Sequence, residues 1–209
     1  FEEKKMMTTG DGGMIVTNNS SKAKKIKSLS FHGWDKDPLL RHKQRYLNST
    51  KKNEKKLHWY YEIKNLGYKY NMNDLMAAIG LAQLKKINII NKKRSNIIKK
   101  YLLGIKNCKN IKPVYPYDLK NSSYWLFSLK SKYRDQLVNF LKEKNISTAV
   151  HFVPLPLNKI YKKYNNNLKN AMKIWKEIFS VPFYPDLKNK NINFIINSIK
   201  KFDRIIERK

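Results

Sequence analysis

The sequence predicts an α/β protein in two parts, and three observations carry that reading. Short extended stretches alternate with helical ones from residue 124 to residue 206. Apolar residues recur at helical spacing from Leu75 to Tyr101, which is long for a single helix. A glycine turn at residues 10–13 separates two short apolar stretches near the start.

From the start, Met6-Met7-Thr8-Thr9 leads into Gly10-Asp11-Gly12-Gly13, and Met14-Ile15-Val16-Thr17 leads out. Adjacent glycines accept positive φ, so this reads as two short strands around a tight reversal. Asn19-Ser20-Ser21 offers cap chemistry for a helix over 22–29. Residues 35–57 are polar, lysine-rich and without period, and read as a long loop. From Trp59 to Tyr70 aromatic and polar residues alternate, broken at Leu66-Gly67. Asn71-Met72-Asn73-Asp74 then begins the long helix. Its apolar stripe runs through Leu75, Ile79, Ala82, Ile90, Ile97 and Tyr101, with small residues in the first turns for close approach.

Gly104 and the Asn/Lys stretch 107–112 read as a boundary, giving expected domains at 1–105 and 106–209. Val114-Tyr115-Pro116-Tyr117 reads as extended, since proline restricts the residue before it. A strand over 124–129, a helix over 134–144 and a strand over 147–152 follow. A proline-containing loop (Pro154, Pro156), a helix over 168–179, an extended segment from Ser180 and a last helix over 190–206 complete the expected C-terminal α/β domain.

Composition bounds the function. The 209-residue chain carries 45 Lys+Arg against 15 Asp+Glu, a net charge of +30, which invites a nucleic-acid reading. The excess is almost all lysine; the arginines are only Arg41, Arg45, Arg94, Arg134, Arg204 and Arg208. Arginine is the residue suited to bidentate phosphate and guanine contacts. The lysines are scattered and travel with Asn and Ile, which share AT-rich codons, so genome composition accounts for the charge and no specific nucleic-acid partner is expected. No run of about 18 apolar residues exists to span a membrane. The chain opens Phe-Glu-Glu-Lys-Lys without an initiator Met or a signal pattern, which reads as a start inside a longer protein. The single Cys108 cannot pair within the chain, and its surroundings suggest no metal, so a cytoplasmic protein is expected. His42 and His58 stand alone. Hydrolase signatures of the Gly-x-Ser-x-Gly kind are absent.

Four segments, in order, give a more specific signal. They are Phe1-Glu-Glu-Lys-Lys-Met-Met-Thr-Thr-Gly-Asp-Gly-Gly13; Ser30-Phe31-His32-Gly33; Leu66-Gly67-Tyr68-Lys69-Tyr70-Asn71-Met72-Asn73-Asp74 with Ala77-Ala78 and Gln83-Leu84; and Ile146–Leu155 with Ser180-Val181-Pro182-Phe183-Tyr184-Pro185. Together they resemble the C-terminal part of the DegT/StrS family of pyridoxal-phosphate (PLP) sugar aminotransferases. The resemblance implies an aspartate-aminotransferase-like, type I PLP-transferase fold, with an incomplete large domain over 1–105 and the small domain after it. It implies transfer of an amino group, with glutamate as donor, to a nucleotide-linked keto-deoxysugar in surface-polysaccharide or amino-sugar synthesis, by a homodimer.

The same resemblance makes Lys5 the lysine that holds PLP. Lys4 is the competitor, and the four-residue step from Phe1 selects Lys5. A lysine suits the task because a neutral amine can attack the aldehyde and then carry a proton. Relatives that dehydrate sugars have His at this position. Asn71 has two readings, a turn or capping residue and, by resemblance, a contact to the cofactor phosphate of the neighbouring subunit. His151 reads as a packed residue or a contact to the sugar nucleotide, and Tyr184 as a packed residue or part of the substrate pocket. His32 reads as structural. The resemblance leaves the acidic partner of the pyridine nitrogen outside these residues, so little activity is expected of this chain alone. An inactive fragment and a basic nucleic-acid-binding protein are the alternatives.

Overall fold

The computed structural model describes residues 1–35, 61–164 and 168–208. Most of the loop expected over 35–57, together with His42, His58 and Trp59, lies outside the described residues. The chain divides into two compact units, Phe1–Lys85 and Lys86–Lys209. The units part inside the long helix, whereas the sequence suggested a domain boundary at its end.

The first unit contains helix α1 (Ser20–Ser30) and the beginning of α2 (Asp74–Ile105). Asn19 caps α1 as its sequence position suggests, its side chain accepting from Lys22 N at 2.9 Å. The cap of α2 is Asn73, whose Oδ1 accepts from Met76 N at 2.9 Å. The two strands expected around the glycine turn do not form. Only an isolated parallel bridge joins Glu2 to Gly10, and Met14, Ile15 and Val16 stand exposed. Two strands of three or four residues gain too little from each other to persist without a third.

The second unit holds the hydrophobic core. Strands β1 (Lys112–Pro113), β2 (Phe127–Lys130) and β3 (Ile178–Val181) form one antiparallel sheet in the order β1-β2-β3. Phe127 pairs with Val181 and Lys130 with Ile178. Helix α3 (Arg134–Glu143) buries Arg134, Leu137 and Leu141, at three- and four-residue steps. Helix α4 (Lys169–Glu177) precedes β3, and α5 (Asn189–Glu207) ends the chain. Ile192, Ile195, Ile196, Ile199, Phe202 and Ile206 form the buried stripe of α5. Phe140 and Phe202 meet with ring centroids 5.5 Å apart, joining α3 to α5. Each fully buried Leu, Ile or Phe contributes about 1.5–3 kcal/mol of hydrophobic stabilisation, so this unit has the driving force to fold.

The strand expected over 124–129 starts later, at Phe127, and three further differences have a visible cause. The strand expected over 147–152 contracts to one bridge, Ala149 to Ser180. The helix expected over 168–179 ends at Glu177, because Phe179 is needed in the sheet opposite Leu129. Gly104 does not end α2 but lies inside its last turn, where a Cβ would sit 2.6 Å from Ile196 Cγ2. The glycine therefore serves close helix packing. Asp203, buried on α5, accepts from Lys109 N at 2.8 Å and Asn110 N at 2.9 Å, and so ties down the turn after α2.

Two changes test this packing. Gly104→Val gains at most about 1 kcal/mol of helix propensity but overpacks the α2–α5 contact at a cost of about 1–3 kcal/mol. Urea denaturation is expected to show a net loss of stability, and an unchanged midpoint would contradict the contact. Asp203→Ala orphans two amide donors, with an expected loss of about 1–3 kcal/mol in the same assay.

Candidate functional site

The segment carrying Lys5 closes on itself. Thr9 N donates to Phe1 O at 3.0 Å, and Lys5 N donates to Glu2 O at 3.0 Å. Thr8 Oγ1 donates to Phe1 O at 3.1 Å and accepts from Gly10 N at 3.0 Å. Asp11 Oδ1 accepts from Gly12 N at 2.7 Å, an Asx contact that tightens the turn. Thr9 is 3% exposed, its hydroxyl donates to Asp11 O, and its methyl packs where a Cβ on Gly80 would stand 3.0 Å away. The small residues in the first turns of α2 thus admit the Lys5 segment. Lys5 itself is half exposed, with Nζ 3.8 Å from Glu2 Oε2.

The other two motif segments of this unit clip together through their backbones. His32 N donates to Tyr68 O at 3.0 Å, Tyr68 N to Leu29 O at 2.8 Å, and Tyr70 N to Ser30 O at 2.8 Å. Gly33 N donates to Ser28 O at 2.7 Å, and Gly33 O accepts from Lys64 N at 2.9 Å. No side chain fits at the crossing. A Cβ on Gly33, whose φ is +73°, would lie 1.8 Å from Asn65 O, and one on Gly67 would lie 2.3 Å from Gly33 N. His32 itself takes φ 59°. Its place in this crossing accords with a structural role.

This clip fixes the strand-like run that ends at Asn71. Lys69 Nζ lies 4.7 Å from the Phe31 ring centroid and donates to Asn71 Oδ1. Because Asn73 performs the capping, the exposed Asn71 amide is held beside the start of α2 without being consumed by it. Helix N-termini favour anions through their unpaired N–H groups. Lys5 and Asn71 therefore belong to one unit, each on a backbone segment fixed against the start of α2.

His151 and Tyr184 belong to the other unit. A buried hydroxyl pair, Ser128 Oγ and Ser180 Oγ at 3.1 Å, leads to His151 Nδ1, 3.4 Å from Ser180 Oγ. The Trp125 ring lies 6.0 Å from that of His151. Burial holds the His151 pKa below the ordinary imidazole value, so the ring is neutral at neutral pH. Tyr184 is 48% exposed. The Ala149–Ser180 bridge is antiparallel, so the chains leaving it toward His151 and Tyr184 run apart.

Arg94, which sequence reasoning passed over, supports the His151 side. It is 8% exposed, donates to Trp125 O at 3.2 Å, and lies 5.0 Å over the Phe183 ring. The signal was available: Arg94 falls on the apolar stripe of α2, between Ile90 and Ile97. Ser180 carried no such signal, because its role depends on pairing with residues about thirty and fifty positions earlier.

Residues 1–200 match the model of the DegT/DnrJ/EryC1/StrS aminotransferase family. The chain is 35% identical over 212 residues to the uncharacterized protein MJ1066 of Methanocaldococcus jannaschii, covering 96% of this chain and 52% of that protein. It is 30% identical over 211 residues to the spore coat polysaccharide biosynthesis protein SpsC of Bacillus subtilis, covering 96% and 51%. Among solved structures, it is similar to the putative sugar aminotransferase Spr1654 of Streptococcus pneumoniae in its PMP form. The TM-score is 0.74 at 25% identity, over 91% of this chain and 47% of that one. The aminotransferase TlmJ of Streptoalloteichus hindustanus matches with TM-score 0.79 at 20% identity, over 98% and 50%. The chain thus spans about half the length of the relatives it matches, and its fold is the type I fold of the solved aminotransferases.

Two measurements test this geometry. Gly33→Ala must displace the Asn65 carbonyl and strain φ; it is expected to open the clip, seen as increased proteolysis over 61–73 with the core of the second unit intact. An NMR titration of His151 is expected to give a midpoint below about 6.5. The sign follows: a pKa depressed by folding contributes stability above about pH 6.5 that is lost as pH falls toward the folded value. A midpoint at or above the ordinary value would contradict its burial.

Proposed function

The chain belongs to the DegT/DnrJ/EryC1/StrS aminotransferase family, and from that membership we propose that it forms part of a PLP-dependent sugar aminotransferase. In this reading the enzyme moves an amino group from an amino acid, glutamate, to a nucleotide-linked keto-deoxysugar for surface-polysaccharide or amino-sugar synthesis. Support comes from the polysaccharide role in the name of the Bacillus relative and the sugar aminotransferase name of the Streptococcus structure. The observation that carries the proposal is the closed turn over residues 1–12, which presents Lys5 on a backbone pinned by Thr9 against Gly80.

The donor set suits the cofactor. Lys5 supplies a primary amine for an aldehyde carbon, and Asn71 supplies an amide beside a helix N-terminus for a phosphate. PLP, when bound, supplies a ring that takes up the electron pair left on the substrate carbon as a proton departs. Lys5 Nζ would hold the cofactor through its amine and, once free of it, would take and return a proton at the substrate carbon. Asn71 would offer its amide to the cofactor phosphate of the neighbouring subunit of a homodimer. His151, neutral and oriented by Ser180, offers one ring nitrogen to a sugar-nucleotide hydroxyl, and Tyr184 lines the same substrate. The second domain, in this reading from about residue 106, presents those two residues.

The test uses the complete gene product incubated with PLP, reduced with borohydride, digested and analysed by mass spectrometry. A pyridoxyl mass on the peptide containing Lys5 is expected, lost in Lys5→Ala and kept in Lys4→Ala. A mass on Lys4 alone, or on no lysine of a folded protein, would overturn the assignment. Residues 1–209 alone are expected to transaminate little, because the acidic group for the pyridine nitrogen belongs, by resemblance, outside the matched half.

A further inference from the structure

The second unit carries a cleft that the transamination chemistry does not use. It opens beside β1, the short edge strand of the sheet, with a volume of about 390 Å³. Five lysines line it: Lys109, Lys112, Lys130, Lys132 and Lys173, from the turn after α2, β1, the end of β2 and α4. Glu177 is the single carboxylate in its lining. A neighbouring cavity between α2 and α5 is balanced, with Lys200 and Arg204 against Asp203 and Glu207. The cleft therefore carries a local excess of lysine that the α2–α5 cavity lacks.

The sheet register makes the crowding unavoidable. Lys112 pairs directly with Lys130 across the antiparallel strands, so both side chains rise from the same face with Cβ atoms about 5 Å apart. Like charges so opposed destabilise a sheet. Lys109 has a remote carboxylate, Glu207, at 3.7 Å, and Lys112 Nζ donates to Cys108 O at 2.5 Å. Lys130, Lys132 and Lys173 have no carboxylate partner among the described residues. A multiply charged anion would draw these ammonium groups together, and lysine contacts phosphate as a point charge.

We propose that this cleft binds a diphosphate group. Its size is that of a small-ligand site, and Tyr133 at its lip, 37% exposed, offers a single ring face. A nucleic-acid track would need a row of such faces. The cleft lies at the Lys130 end of β2, while Trp125, beside His151, precedes Phe127. His151 reaches Ser180, opposite Ser128, and Ser128 lies two residues, roughly 7 Å, from Lys130 on the same sheet face. The proposal takes none of its observations from the transaminase reading.

Isothermal titration of the 209-residue chain with inorganic pyrophosphate, at about 0.15 M salt to screen the general charge, tests it. Saturable binding at one site is expected, weakened about tenfold or more in Lys130→Gln/Lys173→Gln. Lys188→Gln/Lys190→Gln removes the same charge from the start of α5 and is expected to leave the affinity unchanged. Equal weakening by both pairs, or no saturable binding, would overturn the site. A nucleoside diphosphate forms a second arm: equal affinity identifies the diphosphate itself as ligand, and tighter binding identifies a nucleotide as its source. A single-stranded oligonucleotide that binds more tightly than either, and displaces them, would replace the proposal with a nucleic-acid surface. Thermal melts guard against misfolding. Without ligand the Lys130→Gln/Lys173→Gln chain is expected to melt no lower than wild type, and pyrophosphate is expected to raise the melting temperature of wild type alone.

Discussion

The arrangement of the first unit depends on one constraint, the crossing of two backbones at Gly33 and Gly67. Among its described residues only Thr9 and Gly33 are buried. The described residues of this unit bury little apolar surface, and hydrogen bonds between backbone groups hold them together. Five of these join residues 28–33 to residues 64–70. Each is worth only about 0.5–1.5 kcal/mol net, but they act on the same short segments and share one steric requirement. The consequence reaches the site, because the second of those segments ends at Asn71 and leads directly into α2.

The second unit is organised differently. Its core cluster runs from Ile97 to Ile206 and includes residues of three helices and the sheet face that carries Phe127, Leu129, Phe179 and Val181. Three polar side chains in that core bond backbone groups. Arg94 bonds the carbonyls at the start of β2, Arg134 NH1 bonds Trp175 O at 2.9 Å, and Asp203 holds the turn after α2. Each removes a cost that a buried carbonyl or amide would otherwise impose. The same rigidity carries His151, whose neighbours Ser128 and Ser180 lie on adjacent strands. Among the described residues no helix is long and apolar enough to cross a membrane.

Much of this was legible in the sequence where the cause is local. The cap at Asn19, the extent of α2 and the stripe of α5 follow from spacing and cap chemistry within a turn or two. The misreadings have a common source in contacts between distant residues. Met14–Val16 has strand composition but pairs with no strand among the described residues; Phe179 left its helix because Leu129 needed a partner; Gly104 resembles a stop signal, yet faces Ile196. The candidate site divides the same way. Lys5 is proposed through resemblance to a family, since composition alone hides it among many lysines. The Gly33–Gly67 crossing and the opposition of Lys112 and Lys130 arise from register and chain crossing, which no local period records.

Backbone bonding, not a buried core, orders the described part of the chain that carries Lys5 and Asn71. Hydrogen–deuterium exchange resolved to single amides tests it most directly. The amides of His32, Gly33, Tyr68 and Tyr70 are expected to exchange much more slowly than those of Met14, Ile15 and Val16, although none belongs to a long helix or sheet. Exchange of the two groups at the same rate would contradict the account.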